Sequence, residues 1–180
     1  MRWLSALAVL IIATTAQAED KKVATEDTVV YPLVVFPSYI RTIKNSIGSR
    51  IFRNLYYRIG DRDRDVLEGG NLSCAYFVGT ILRHFGLIGE WRTSVDGLVE
   101  EMKKSGWQEV GEPVIGSVVV WEARVFRRGG EPHKHIGFYI GRGRVVSMSS
   151  KKGFPIAHGI RDGRRKIMVT LWHQKMSPRR

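Results

Sequence analysis

The sequence predicts an α+β domain in which N-terminal helices pack on a small antiparallel β-sheet. Apolar residues recur at helical spacing as far as about residue 106, the period then changes to that of strands, and glycine-rich turns separate the strand-like runs. Helices first and antiparallel strands after is the order of an α+β chain rather than of an alternating parallel sheet.

The elements follow in order. Met1 and Arg2 form a short basic start, Trp3 to Ala13 is mostly apolar, and Ala16-Gln17-Ala18 is a small-x-small site before Glu19. Residues 1–18 therefore read as a secretory signal peptide, because the apolar core falls short of the roughly 18 residues that span a bilayer. Residues 19–37 are expected to be an N-terminal arm, with Tyr31 to Phe36 either an edge strand or a packing segment stopped by Pro37. From Ser38 to Gly60 the spacing of Ile40, Ile43, Ile47, Ile51, Leu55 and Tyr56 predicts a basic amphipathic helix that ends in the charged loop 60–65. A third apolar stripe, Leu72, Ala75, Phe77, Val78, Ile81, Leu82 and Phe85, predicts a helix headed by Cys74, with Asn71 or Ser73 as its N-cap. Thr93 or Ser94 caps the next helix, which Gly106 ends. Strands are predicted at Val114–Trp121, His135–Gly141, Val145–Ser149, Ile156–His158 and Lys166–Trp172. The folded domain is placed at 38–175 and a basic tail at 176–180.

Composition narrows the function. The chain of 180 residues carries a net charge of +12, which loss of Arg2 with the leader lowers by one. Such a charge favours anionic polymers or surfaces, and export makes peptidoglycan or another anionic cell-envelope polymer the expected partner rather than nucleic acid. The same spread of Lys and Arg also serves solubility alone. A secreted or periplasmic location, no stable membrane insertion after leader cleavage and a monomer are expected. A single cysteine excludes an internal disulfide framework.

That cysteine is the most informative residue. Helix termini leave N–H groups unpaired and carry partial positive charge, which is expected to shift the Cys74 thiol toward thiolate. His135 opens an apolar strand 61 residues later, and an imidazole nearby takes the proton. Three pieces, the Ser73-Cys74 helix start, the turn and strand Gly116-Ser-Val-Val-Val-Trp121, and His135-Ile-Gly-Phe-Tyr-Ile-Gly-Arg-Gly143, together resemble the NlpC/P60 and CHAP groups of papain-like cysteine hydrolases. The resemblance covers roughly residues 71 to 160. It implies a papain-like NlpC/P60-type domain, a Cys74 nucleophile, a His135 general base, cleavage of an amide or peptide bond in peptidoglycan, and no cofactor or metal. The chain departs from the usual Asp-Cys-Ser-Gly with Ser73-Cys74-Ala75-Tyr76, and from Gly-Asp with Gly116-Ser117.

A third polar group that orients the histidine is expected 12 or 13 residues after it, where Ser147 and Met148 stand. Ser147, His158 from the next strand, or a backbone carbonyl are the alternatives. His84 and His173 are expected to be solvated. His133, His135 and His158 suggest zinc only if three or four ligands converge. Trp91, Trp107, Trp121 and Tyr139 read as core or rim aromatics. Two other readings stay open: a non-catalytic basic wall-binding module of the same fold, and a transacylase or toxin-like hydrolase using the same Cys-His pair.

Overall fold

The computed structural model describes residues 31–125, 131–161 and 165–177. The predicted leader 1–18, most of the predicted arm and residues 178–180 lie outside the described residues. The chain divides into Met1–Pro32 and Leu33–Arg180, and every element below belongs to the second unit. Helices α1 (Val35–Asn45), α2 (Cys74–His84) and α3 (Val95–Lys104) accompany eight strands: β1 (Tyr56–Ile59), β2 (Arg62–Asp65), β3 (Trp107–Glu109), β4 (Val118–Arg124), β5 (His133–Gly141), β6 (Arg144–Ser149), β7 (Phe154–Gly159) and β8 (Ile167–His173). β1 and β2 form a two-stranded ribbon, and the others form one antiparallel sheet in the order β3-β8-β4-β5-β6-β7. The class is α+β, as predicted. Among the described residues no helix is long and apolar enough to cross a membrane.

Alternation of side chains gives this sheet two faces. Val118 and Val120 of β4, Ile136 and Phe138 of β5, Val146 and Met148 of β6 and Leu171 of β8 belong to the main core with α1, α2 and α3. Phe138 is its hub: Tyr39 of α1 and Phe77 of α2 meet it edge-on with ring centroids 5.7 and 5.5 Å away. On the opposite face Val119, Trp121 and Val145 form a smaller cluster with Tyr139, Ile160 and Ile167.

Departures from the sequence reading lie mainly before α2. Residues 35–37 open α1 instead of an edge strand or arm, and the predicted helix stops at Asn45, where the Ser46 hydroxyl donates to the Ile43 carbonyl at 2.7 Å. Ile51 and Tyr56, assigned to its buried face, are exposed. The predicted charged loop is instead the β1–β2 ribbon, turned by Gly60 (φ +60°) and Asp61 between the register pair Ile59 and Arg62. Asp65 then organises the next turn: its carboxylate accepts the N–H groups of Leu55 (2.9 Å), Leu67 (3.1 Å) and Gly69 (2.8 Å). Gly70 packs on Gly153 so tightly that a Cβ on Gly70 would lie 2.7 Å from the Gly153 Cα, and both have positive φ. This contact fastens the segment entering α2 to the β6–β7 turn. β4 starts at Val118 rather than Val114, since Val114 and Ile115 are exposed beside the turn at Gly116. β3, which the sequence reading omits, pairs with β8 at the edge.

Candidate active site

Cys74 is the first residue of α2, and Ser73 precedes it without capping the helix. The Ser73 hydroxyl is turned backwards, donating to the Gly70 carbonyl at 2.9 Å. Ser73 is thus a buried turn residue and not the expected capping side chain. The first N–H groups of α2 are left to the sulfur, and those of Cys74 and Ala75 both hydrogen-bond the thiolate form.

The sheet supplies the other side of the site. Register pairs between β5 and β6 run only as far as Gly137 with Ser147, so the backbone of Lys134 and Ile136 lies beyond the β6 ladder. Cys74 occupies that gap: its thiol donates to the Lys134 carbonyl at 4.0 Å, and the Ile136 N–H bonds the thiolate. Cys74 and His135 line one cavity of about 420 Å³ with Asn71, Ser94, Asp96 and Lys134. The two residues singled out in the sequence are therefore brought to one cleft.

His135 projects from the face opposite the helices. It pairs directly with Trp121 across β4–β5, and the two ring centroids are 5.6 Å apart. Its Nε2 lies 2.9 Å from the Ser147 Oγ, which lies 2.7 Å from the His158 Nε2, while the His158 Nδ1 is 2.9 Å from the Gly159 carbonyl. A register of Gly137 with Ser147 and Val145 with His158 places each member diagonal to the next over three strands. Gly137 makes room, since a Cβ there would lie 2.6 Å from the Ser147 Cβ.

With His158 neutral, polarity sets the direction of this chain. A carbonyl only accepts, so the His158 Nδ1 carries a proton, and in the neutral ring its Nε2 accepts from the Ser147 hydroxyl. Ser147 Oγ then accepts from the His135 Nε2–H, which leaves the His135 Nδ1 as a lone pair. The candidates for an orienting group thus work in series: Ser147 touches His135, His158 touches Ser147, and a backbone carbonyl ends the chain. Met148, which stands in the other predicted register, belongs instead to the core on the helix-covered face. Strand parity decides between them.

Burial sets the charges. Cys74 and His135 are half-buried residues that border cavities. Burial pushes the thiol up to about 11, outweighing the N–H groups of Ala75, Ile136 and Cys74 and the charge of Arg165. Burial likewise brings His135 down to about 3, with the charge of Arg165, and that of His158 whenever its ring is protonated, acting in the same direction. The expected shift toward thiolate is overturned: at neutral pH the resting pair is thiol and neutral imidazole.

The remaining histidines separate. His84 is exposed at the end of α2, and His133 is exposed at the start of β5. His173, expected in solvent, is buried: its Nε2 donates to the Ser105 carbonyl at 3.0 Å and its Nδ1 accepts the Lys175 N–H at 3.0 Å. Trp107, 5.6 Å from it, is also in the core, whereas Trp91 packs half-buried on Tyr76. Among the described residues no three His, Cys, Asp or Glu side chains gather as metal ligands. No protein-family model matches the chain, and no curated protein matches it.

Proposed function

We propose that this chain is an exported papain-like cysteine hydrolase of the NlpC/P60 or CHAP kind, cleaving an amide or peptide bond in peptidoglycan. The observation that carries the reading is that Cys74, at the start of α2, and His135, whose Nε2 is held by Ser147 and through it by His158, line one cavity. Cys74 Sγ attacks the carbonyl carbon while the His135 Nδ1 takes the thiol proton. Because thiol and imidazole are both neutral at rest, proton transfer accompanies C–S bond formation rather than preceding it. The N–H groups at the start of α2 meet the developing oxyanion. Collapse breaks the C–N bond, the imidazolium returns the proton to the leaving amine, and water hydrolyses the thioester with His135 again as base.

The net charge of +12 suits an anionic envelope polymer, and the apolar start suits a secreted or periplasmic protein. One observation favours a second reading, a basic wall-binding module of the same fold: burial keeps the Cys74 thiol protonated. Incubation of the protein with purified peptidoglycan and mass analysis of released fragments separates the two. Fragments with new amino groups that depend on Cys74 are expected. Binding to the wall without release would overturn the hydrolase and leave the module.

A further inference from the structure

The β1–β2 ribbon lies outside the Cys74 cleft, and its two faces differ in kind. Register pairs in an antiparallel ribbon share a face, so Tyr56 and Arg58 stand with Asp65 and Asp63, while Tyr57 and Ile59 stand with Arg64 and Arg62. On the first face the charges are matched locally: Arg58 pairs with Asp63 at 2.5 Å, and Asp65 accepts the N–H groups that organise the turn after it. The second face holds two cations and no carboxylate, since Asp61 belongs to the turn at the tip. Among the described residues neither Arg62 nor Arg64 makes an ion pair. All four residues of this face are exposed, and Tyr57 and Ile59 keep 45% and 52% of their surface in water. The ribbon pairs with no strand of the six-stranded sheet, which gives the face no cover.

We propose that the face formed by Tyr57, Ile59, Arg62 and Arg64 is a docking surface for the anionic headgroup region of a lipid bilayer. Arginine lays its stem along apolar surface and carries the guanidinium to phosphate, and tyrosine suits the boundary between water and acyl chains. Isoleucine gains only by leaving water. Ile59 therefore decides against an anionic glycan as the occupant, because such a polymer would neutralise the two cations and leave the apolar side chain where it is. Size decides against a protein. Strands of four residues make a face about 13 Å long, well short of the roughly 800 Å² per partner that stable protein interfaces bury, whereas contact with headgroups needs no such area. Docking of this kind requires no spanning segment. Val66, the residue after β2, lines the Cys74 cavity, so a docked ribbon holds that cleft beside the membrane surface.

Cosedimentation of the chain from Glu19, which keeps every described element, with lipid vesicles tests the surface. Binding is expected to vesicles of phosphatidylcholine mixed with phosphatidylglycerol and not to phosphatidylcholine alone. The double variant Arg62→Gln, Arg64→Gln is expected to weaken binding to the mixed vesicles by roughly 30-fold, about fivefold for each arginine at an anionic leaflet, and Arg62→Lys with Arg64→Lys to keep most of it. Ile59→Ser leaves the charge unchanged and is expected to weaken binding several-fold. Arg41→Gln with Lys44→Gln, which removes the same two charges from exposed positions of α1, is expected to change it by less than about threefold. In Tyr57→Trp, lipid brominated in its acyl chains is expected to quench emission beyond the wild-type level. Equal binding to both kinds of vesicle, equal losses from the two charge-removing pairs, no loss with Ile59→Ser or no added quenching in Tyr57→Trp would overturn the surface. So would sedimentation with purified peptidoglycan but not with vesicles that depends on Arg62 and Arg64, since a wall polymer would then be the occupant. None of these measurements requires turnover: absence of Cys74-dependent cleavage leaves the docking surface standing, and absence of vesicle binding leaves the hydrolase.

Discussion

On the face of the six-stranded sheet that meets the helices, β5 contributes Ile136 and Phe138 and β6 contributes Val146 and Met148, all buried and all apolar. On the opposite face the same strands contribute His135, Gly137 and Ser147, with His158 arriving from β7, and these form a directed hydrogen-bond chain. One backbone ladder serves both. The apolar face fixes the register, and the register places the polar residues diagonally within hydrogen-bond reach of one another. A slip of one residue would send His135 and Ser147 into the core and Phe138 out of it. The polar chain on the open face is thus held in place by packing on the covered one, and the two can be separated by mutation.

The largest expected effects are opposite in kind. Cys74→Ala is expected to abolish fragment release from peptidoglycan while leaving the thermal midpoint almost unchanged, because alanine is tolerated at a helix start. Phe138→Ala is expected to cost about 3–5 kcal/mol of stability by emptying the centre of the Tyr39–Phe77–Phe138 cluster. Denaturant unfolding monitored beside the release assay checks both. A Cys74→Ala protein that still released fragments at the wild-type rate would remove the nucleophile assignment.

Smaller effects follow along β6, where neighbouring residues belong to different faces. Ser147→Ala is expected to lower the rate by roughly 10²-fold to 10⁴-fold, the range for a mispositioned or mis-tautomerised base, with kcat falling more than KM rises. Met148→Asn is expected to give no gain in rate and to cost about 1–3 kcal/mol, because it buries an amide without a partner among apolar residues. Nitrogen NMR of the imidazoles gives a readout that packing alone would not move. Wild-type protein should show a protonated Nε2 on His135 and a protonated Nδ1 on His158, and Ser147→Ala should mix the His135 tautomers. A His135 ring protonated at Nδ1 would reverse the direction of the chain and break the comparison.

Much of this was legible in the sequence, for reasons that differ along the chain. α2, α3 and strands β5 to β8 carry strong periodicity, and the predicted segments fall on them with shifts of a few residues at their ends. Cys74 and His135 stood out because one heads an apolar stripe and the other an apolar strand. The β1–β2 ribbon was hidden because both of its strands are largely exposed, so no alternation marks it. Ser147 and His158 were visible as alternatives but not as consecutive members of one chain, since a diagonal relation exists only once three strands are paired in register. The protonation of Cys74 was misjudged because a helix terminus is local and burial is not: the N–H groups are where the sequence implied, and desolvation outweighs them.

The pH dependence of stability tests whether the open face is dry at His135. Its folded-state pKa is lowered from 6.5 to about 3, so the folded protein resists protonation there while the unfolded chain accepts it below about 6.5. The stability this contributes is fully present above the unfolded value and is lost as pH falls from 6.5 toward 3. Asp65, Glu101 and Glu122, whose pKa values are also lowered, lose stabilisation on acidification as well, but they do so equally in wild type and in His135→Gln. The difference in unfolding free energy between the two proteins therefore isolates the imidazole. It is expected to move against the wild type by at most about 1.4 kcal/mol per pH unit below 6.5. Cys74 works in the opposite sense: raised to about 11, it contributes stability below the unfolded thiol value that is lost as pH rises toward 11, a loss that Cys74→Ala should not show. Parallel curves for wild type and His135→Gln between pH 7 and 4 would mean that the folded site accepts imidazolium as readily as water does. The His135 ring would then be solvated despite its place beside Trp121, and the proton could leave Cys74 before any carbonyl arrives.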